Sequence, residues 1–365
     1  MPDSKSDIPT KLEIRKINNS ELPKYADVHV IDGPGVMYSL KGKVCCKNTF
    51  RDLRDGVFLP WLQQQLEHCG RLDFVWDRYP HDSLKLFTRE ERGFDRRRYV
   101  GDEIRIPNKM DAFLKNGDNK EDLFAYLSEG VLSHIEIDVT KQLFITHKDS
   151  VLSKGGTSSE IAPCNHEESD TRMMVHIVHA VKNGCRTVFL STVDSDVVVI
   201  ATYVFSMLVQ EYPDLQLMIL FGQGKQSSVY DVRKIYEFLG PAKCRAIPFF
   251  VALTGCDTTS QFNGKGKISA WNAWLAYPMA TDAFLIQPFE QITIDSERFQ
   301  MIETFICILY NRTTSITSVN EMREALFTTV EFTKLPPTQD ALYQHVLRAV
   351  YQLSLIHISE PTRPY

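Results

Sequence analysis

Two short runs decide the fold: residues 27–32, D-V-H-V-I-D, and residues 72–77, L-D-F-V-W-D. Both are rich in β-branched and aromatic side chains, and both stop on an aspartate. Gly33-Pro34-Gly35 follows the first directly. Short apolar runs bounded by such breakers read as buried strands. A helix-period segment over residues 48–68 separates them.

Working outward, residues 120–132 have a helical pattern and 143–147 a strand pattern. A Gly/Ser/Thr loop over 154–165 leads to a helix at 167–182, where Met173, Met174, Ile177, Val178 and Val181 recur at helical spacing. Residues 186–191 form another buried-type strand, which runs into Val193-Asp194-Ser195-Asp196. A strand at 215–221 and a helix at 230–239 continue the alternation. The predicted fold class is α/β, a mostly parallel central sheet with helices on both faces. In such sheets sites form at the carboxyl ends of the strands.

The expected organisation is a loosely ordered 1–26, a sheet domain over 27–275 with a polar excursion at 78–118, and a helical extension over 276–352. Residues 353–365, L-S-L-I-H-I-S-E-P-T-R-P-Y, resemble translated sequencing adapter. The natural chain is therefore expected to depart near Gln352 and continue.

With 365 residues, 43% hydrophobic and 24% charged, the chain is too apolar for general disorder and long enough for a sizeable core. A net charge of −5 excludes a uniformly basic nucleic-acid coat but not a nuclease with a local basic face. The eight cysteines contain no C-x-x-C pair, which speaks against zinc-ribbon spacing and for a reducing compartment. Residues 1–11 lack the apolar core of a secretory signal, and the apolar run 197–209 is short for a membrane span. An intracellular, nuclear setting without a membrane partner is expected.

The carboxylates carry the chemistry. Asp194 and Asp196 are two apart, which on an extended strand end turns both to one side. Glu167, Glu168 and Asp170 open a helix, Asp32 and Asp77 end strands, and Asp257 sits in a T-G-C-D-T-T turn. Singly, each has an ordinary explanation as a cap, a turn residue or a complement to the helix dipole. Gathered at one sheet edge, they would repel one another unless cations neutralised them. Oxygen-only ligands suit Mg²⁺ or Mn²⁺, and two such ions ~3.5–4 Å apart are the recurring device for displacement at phosphorus. The expected activity is phosphodiester hydrolysis.

Other elements are weaker. Lys85, Arg89, Arg92, Arg96, Arg97 and Arg98, interrupted by Glu90, Glu91 and Asp95, read either as a solvated helix face or as a phosphate clamp. Gly264-Lys265-Gly266-Lys267 opens a helix and could present backbone N–H groups to a phosphate. Residues 222–227, G-Q-G-K-Q-S, lack the P-loop spacing. His166, His176 and His179 have no third zinc ligand at suitable spacing and read as packed or surface histidines. Cys256 reads as a core thiol, and Trp271 and Trp274 as core.

In order and spacing, these pieces resemble the PIN-like, flap endonuclease/XPG nuclease superfamily over roughly residues 27–275. Val30-Ile31-Asp32-Gly33 and Val75-Trp76-Asp77 resemble its first two metal-binding strands. Pro163 to Asp170 resembles its acidic helix start, Val193 to Asp196 its D-x-D, and Gly255-Cys256-Asp257 its last catalytic aspartate. The resemblance implies that Asp32, Asp77, Glu168, Asp170, Asp194, Asp196 and Asp257 hold two Mg²⁺ or Mn²⁺ ions, with Glu167 a substitute ligand. It also implies that Lys85 and Arg92 contact the scissile phosphate, within a gateway-like excursion at 85–118 where Arg89 is a further expected nucleic-acid contact. Gly264, Lys265, Gly266 and Lys267 would hold a duplex backbone in a helix-hairpin turn. The partner implied is nucleic acid, DNA before RNA. The strings H-E-E-S-D-T-R-M-M and T-G-C-D-T-T-S further resemble an uncharacterised animal group linked to mobile elements. The competing reading is a non-catalytic binding module descended from such a nuclease, and a third is a PIN-type ribonuclease.

Overall fold

The computed structural model describes residues 16–17, 22–44, 48–80, 96–222, 224, 227–256 and 258–356. Contacts divide them into two compact units: 17–197 with 208–232, and 198–207 with 233–356.

The first unit is built on a sheet of strands β1 (Lys16–Ile17), β2 (Ala26–Asp32), β3 (Cys69–Val75), β4 (Gln142–His147), β5 (Ser150–Lys154), β6 (Thr187–Thr192), β7 (Gln216–Phe221) and β8 (Ser228–Asp231). Their order is β1-β8-β7-β6-β2-β3-β4-β5. β2 pairs in parallel with β3 and β6, β3 with β4, and β6 with β7; only β4–β5 and β7–β8 are antiparallel pairs among those described. The expected α/β class with a mostly parallel sheet holds.

The helices of this unit are α1 (Gly33–Val44), α2 (Phe50–Leu53), α3 (Leu59–Glu67), α4 (Met110–Phe113), α5 (Gly117–His134), α6 (Ser169–Lys182) and the two ends of α7 (Ser195–Glu211). Alternation along β3 shows why both sheet faces are covered. Phe74 turns to one face, where its ring meets Phe58 at 5.4 Å and Trp61 at 6.0 Å. On that side Trp76 stacks on Phe124 of α5 at 4.1 Å. Arg71 and Asp73 turn to the other face. There Arg71 forks onto Asp73 at 2.7 and 2.6 Å, His176 of α6 meets Asp73 at 2.8 Å, and His179 meets Arg71 at 2.8 Å. Burial alone would raise the Asp73 pKa, but Arg71 and His176 hold it down to about 2. Gly33 lets α1 start directly from β2, since a Cβ there would stand 2.4 Å from the Trp76 ring.

Three details differ from the sequence reading. β3 runs Cys69–Val75, so Asp77 stands two residues past the strand instead of ending it. The helix expected at 48–68 is broken by a π turn, Arg54–Phe58, where the buried Arg54 binds Asp55 at 2.6 Å and Asp102 at 2.8 Å. The described part of the 78–118 excursion is not purely polar surface: Val100, Met110, Phe113 and Leu114 belong to the sheet core, and Arg105 bridges to Thr49. Met110, Phe113 and Leu114 stand at helical spacing, but the run is a single turn and is overshadowed by the charged and polar residues around it.

The second unit contains the middle of α7 and helices α8 (Val232–Leu253), α9 (Lys267–Ala276), α10 (Ala280–Phe284), α11 (Glu297–Tyr310), α12 (Val319–Leu326) and α13 (Gln339–Ile356). Gly240, at φ 78°, kinks α8 ahead of Pro241. Residues 233–275, read from the sequence as part of the sheet domain, cluster with the helices that follow them. Phe250 anchors this core against Trp274 at 4.8 Å, Trp271 at 5.9 Å and Phe284 at 6.1 Å. Both tryptophans are core, as expected. Helix α13 passes through Gln352 and continues to Ile356. Among the described residues, no helix is long and apolar enough to cross a membrane.

Candidate functional site

Because β2, β3 and β6 are parallel neighbours, their carboxyl ends share one edge. Asp32 stands opposite Val75 and Ile31 opposite Ser191, which places Thr192 next to Asp32. The sheet grows from β2 in opposite directions, so this edge is a topological switch point, where ligands bind in open α/β sheets.

Asp32 is 5% exposed. Its Oδ1 accepts from the Ser169 hydroxyl at 3.0 Å and its Oδ2 from the Thr192 hydroxyl at 3.1 Å. Burial, then the charges of Asp77 and Asp194, push its pKa up to about 7, against the opposing pull of the two hydroxyls. Asp77 accepts from the Ser169 amide at 2.8 Å and from the Tyr79 hydroxyl at 2.9 Å. Gly35 faces this group: a Cβ there would lie 3.4 Å from Asp32 Oδ2, so its absence keeps that oxygen approachable.

Glu168 is the N-cap of α6 with extended backbone, and its side chain makes no capping bond. Asp170 lies in the first turn. Burial, then Asp194, Glu168, Asp32 and Asp77, raise its pKa well above the usual carboxylate range. Asp194 and Asp196 do not lie on an extended strand end, contrary to expectation. β6 stops at Thr192, and Asp194 caps α7 by accepting from the Asp196 amide at 2.8 Å. The Asp194 amide donates to Thr192 Oγ1 at 3.0 Å, while that hydroxyl donates to Asp32.

The structure thus couples five of the expected acids: Asp32, Asp77, Glu168, Asp170 and Asp194. Glu167 and Asp196 are half-buried beside them in sequence but are not main contributors to either shift. Asp257, Lys85, Arg89 and Arg92 lie outside the described residues. Ser169, Thr192 and Tyr79 also belong to this site, and nothing in the sequence marks them. A hydroxyl beside an acid is an ordinary capping pattern and carries no distinctive mark.

Among the described residues, no three His, Cys, Asp or Glu side chains are arranged to hold a metal ion. Instead the Asp32 and Asp77 oxygens are turned onto hydroxyl and amide donors. Each carboxylate oxygen has two lone pairs, so these bonds leave acceptor capacity on all four oxygens. In donor chemistry and in its mutual repulsion, the set fits a hard divalent cation.

The G-K-G-K turn requires a correction. Lys267 is buried, and its ammonium donates to Val251 O at 2.7 Å, Thr254 Oγ1 at 2.7 Å and Gly255 O at 2.5 Å. Its three N–H groups hold the end of α8 and are not offered to a phosphate. Lys265 lies over the Tyr310 ring at 5.0 Å, and burial lowers its pKa. Gly264 has φ 71°, and Gly266 is the N-cap of α9. Cys256 is half-buried, not core, with its sulfur 3.1 Å from Thr259 Oγ1. His176 and His179 are packed, as expected, in the Arg71–Asp73 network.

No protein-family model and no curated protein matches the chain. Among solved structures it is similar to the T5 D15 protein co-crystallized with metal ions: 13% identical, covering 90% of this chain and 99% of that one, with a TM-score of 0.42. A likeness at that level says nothing about chemistry.

Proposed function

We propose that this chain is a divalent-metal-dependent nuclease that hydrolyses phosphodiester bonds in DNA or structured nucleic acid. The observation that carries the reading is the Asp170 carboxylate, raised by burial and by Asp194, Glu168, Asp32 and Asp77 together. Such a cluster is stable only when protonated or when cations neutralise it. Bound there, Mg²⁺ or Mn²⁺ would supply an activated water and charge for the leaving oxygen. Asp32, Asp77, Glu168, Asp170 and Asp194 would hold the ions, with Ser169 setting the separation of the first two. Asp257, Asp196 and Glu167 would complete the set. Lys85, Arg89 and Arg92 would contact the substrate phosphates, and the Gly264–Gly266 backbone with Lys265 would support a duplex. A nuclear site of action follows from a DNA substrate.

A second reading, a binding module derived from such a nuclease, is favoured by one observation: no three described acids are placed to hold an ion together. Cleavage of labelled single-stranded, duplex, flap and RNA substrates in Mg²⁺, Mn²⁺ or EDTA separates the two. Metal-dependent cleavage supports the nuclease; binding without cleavage in any metal supports the module.

A further inference from the structure

We infer that Arg78 is a substrate-phosphate contact, held in place by Cys164 and backed by Arg172 beside the acidic site; the inference rests on the nuclease reading above. Arg78 directly follows Asp77. Its amide donates to Glu167 O at 2.7 Å, and its Nη1 to Cys164 O at 3.0 Å. Cys164 is itself tied to the β4–β5 turn, where its amide donates to Asp149 O at 2.8 Å. The guanidinium is therefore fixed at one nitrogen while the side chain stays half-buried.

Arg172, on α6, is 1% exposed and donates to the carbonyls of Lys148 and Ser150. Neither arginine forms an ion pair with a described carboxylate, and the Nε–H of each is closed off from solvent without an acceptor. Buried donors are nearly always satisfied, so this corner is short of acceptors and of negative charge. Neighbouring His166 adds no positive charge at neutral pH, because burial and Arg172 lower its pKa to about 4.

Two surpluses therefore stand side by side: acids at the strand ends, and a guanidinium pair beginning one residue after Asp77. A nucleic-acid strand carries a phosphate about every 3.4 Å of rise. With one phosphate at the carboxylates, where cations would screen it, a flanking phosphate falls within reach of Arg78. With Nη1 held by Cys164, the guanidinium keeps its fixed charge and its Nη2–H donors for a phosphate oxygen. Arg172, with both terminal nitrogens on backbone carbonyls, is a positioning residue.

The test is equilibrium binding of a labelled DNA duplex to the full chain in EDTA, over about 50 to 200 mM salt. Arg78→Gln removes the charge but keeps an amide that can donate to Cys164; Arg78→Lys keeps the charge. Arg78→Gln is expected to bind more weakly and to lose ~0.9 from the slope of log K against log salt, while Arg78→Lys retains the slope. Thermal melts of both variants check the fold. A wild-type slope in Arg78→Gln, or equal weakening in both variants tracking a common loss of melting temperature, overturns the inference. The nuclease reading has a separate test: it stands if metal-dependent cleavage persists, and it alone falls if the slope changes but no metal supports cleavage.

Discussion

Ser169 donates its hydroxyl to Asp32 at 3.0 Å. Its amide donates to Asp77 at 2.8 Å. One residue at the start of α6 thus sets the spacing of two carboxylates, one ending β2 and the other two residues past the parallel neighbour β3. Burial, then the Asp77 charge, raises the Asp32 pKa while the Ser169 hydroxyl opposes that rise, so Ser169 brings the pair together and also moderates it.

Ser169→Ala should leave the amide bond to Asp77 and remove only the hydroxyl. The cost is about 1 kcal/mol above neutral pH, where Asp32 is ionised. The Asp32 titration should move further up from about 7. Carbon NMR of labelled aspartates across pH reads both forms, and an unmoved Asp32 midpoint would rule out the coupling.

Metal-free stability should fall as pH rises. Folded Asp32 keeps its proton to about 7, whereas the unfolded chain releases it near 3.8. Between those values the folded state binds more protons, so raising pH drains stability, by up to about 4 kcal/mol from Asp32 alone. Asp170 acts in the same direction. Melting temperature in EDTA should therefore drop from pH 5 to about 7.5, and Asp32→Asn should flatten the curve. A wild-type melt that climbs over this window contradicts the assigned shifts.

Asp194→Asn should abolish cleavage and leave DNA binding nearly intact. Asparagine caps a helix about as well as aspartate, so the bond from the Asp196 amide and the start of α7 survive. What is lost is one charge from the cluster. Full activity in Asp194→Asn would exclude this site as the centre of the chemistry.

Lys267→Met should destabilise the fold by about 3 kcal/mol, since it removes charge-assisted bonds and strands buried carbonyls of α8. The salt dependence of DNA binding should not change, because the ammonium faces Val251, Thr254 and Gly255. Urea unfolding and a salt titration of the same variant separate the two roles. A reduced salt slope would return Lys267 to the nucleic-acid interface.

The strands were legible because β-branched runs and their breakers are local. The runs at 27–32, 143–147, 186–191 and 215–221 match β2, β4, β6 and β7 to within one residue at each end. The acidic start of α6 was legible because helical periodicity begins there. What stayed hidden depends on distant partners. Lys267 meets oxygens 12 to 16 residues upstream, and Thr192 meets Asp32 at a separation of 160 residues. At the π turn the buried Arg54 reaches Asp102, a contact with no local trace in the sequence. The two-residue spacing of Asp194 and Asp196 fits both a strand end and a capped helix start, and the Asp194 cap decides for the helix.

Cation binding at this edge can be read without a substrate. Asp32, Asp77, Glu168, Asp170 and Asp194 repel one another in the folded chain. A cation that binds only the folded cluster stabilises it by RT ln(1 + [L]/Kd), ~2.7 kcal/mol at one hundred times Kd. Melting temperature should rise with Mn²⁺ or Mg²⁺ at constant ionic strength, most clearly above neutral pH, where the acids are ionised. Asp170→Asn should raise the metal-free melt, because it removes a charge that four neighbours oppose, and it should blunt the metal response. Asp196→Asn should blunt the response too, if its carboxylate joins the set, but should raise the metal-free melt less, since Asp196 is not a main contributor to either shift. Melts of the three proteins with and without Mn²⁺ decide the matter. A wild-type melt unmoved by millimolar Mn²⁺ would mean that the carboxylates do not close around an ion, and the binding-module reading would then be the better account of this edge.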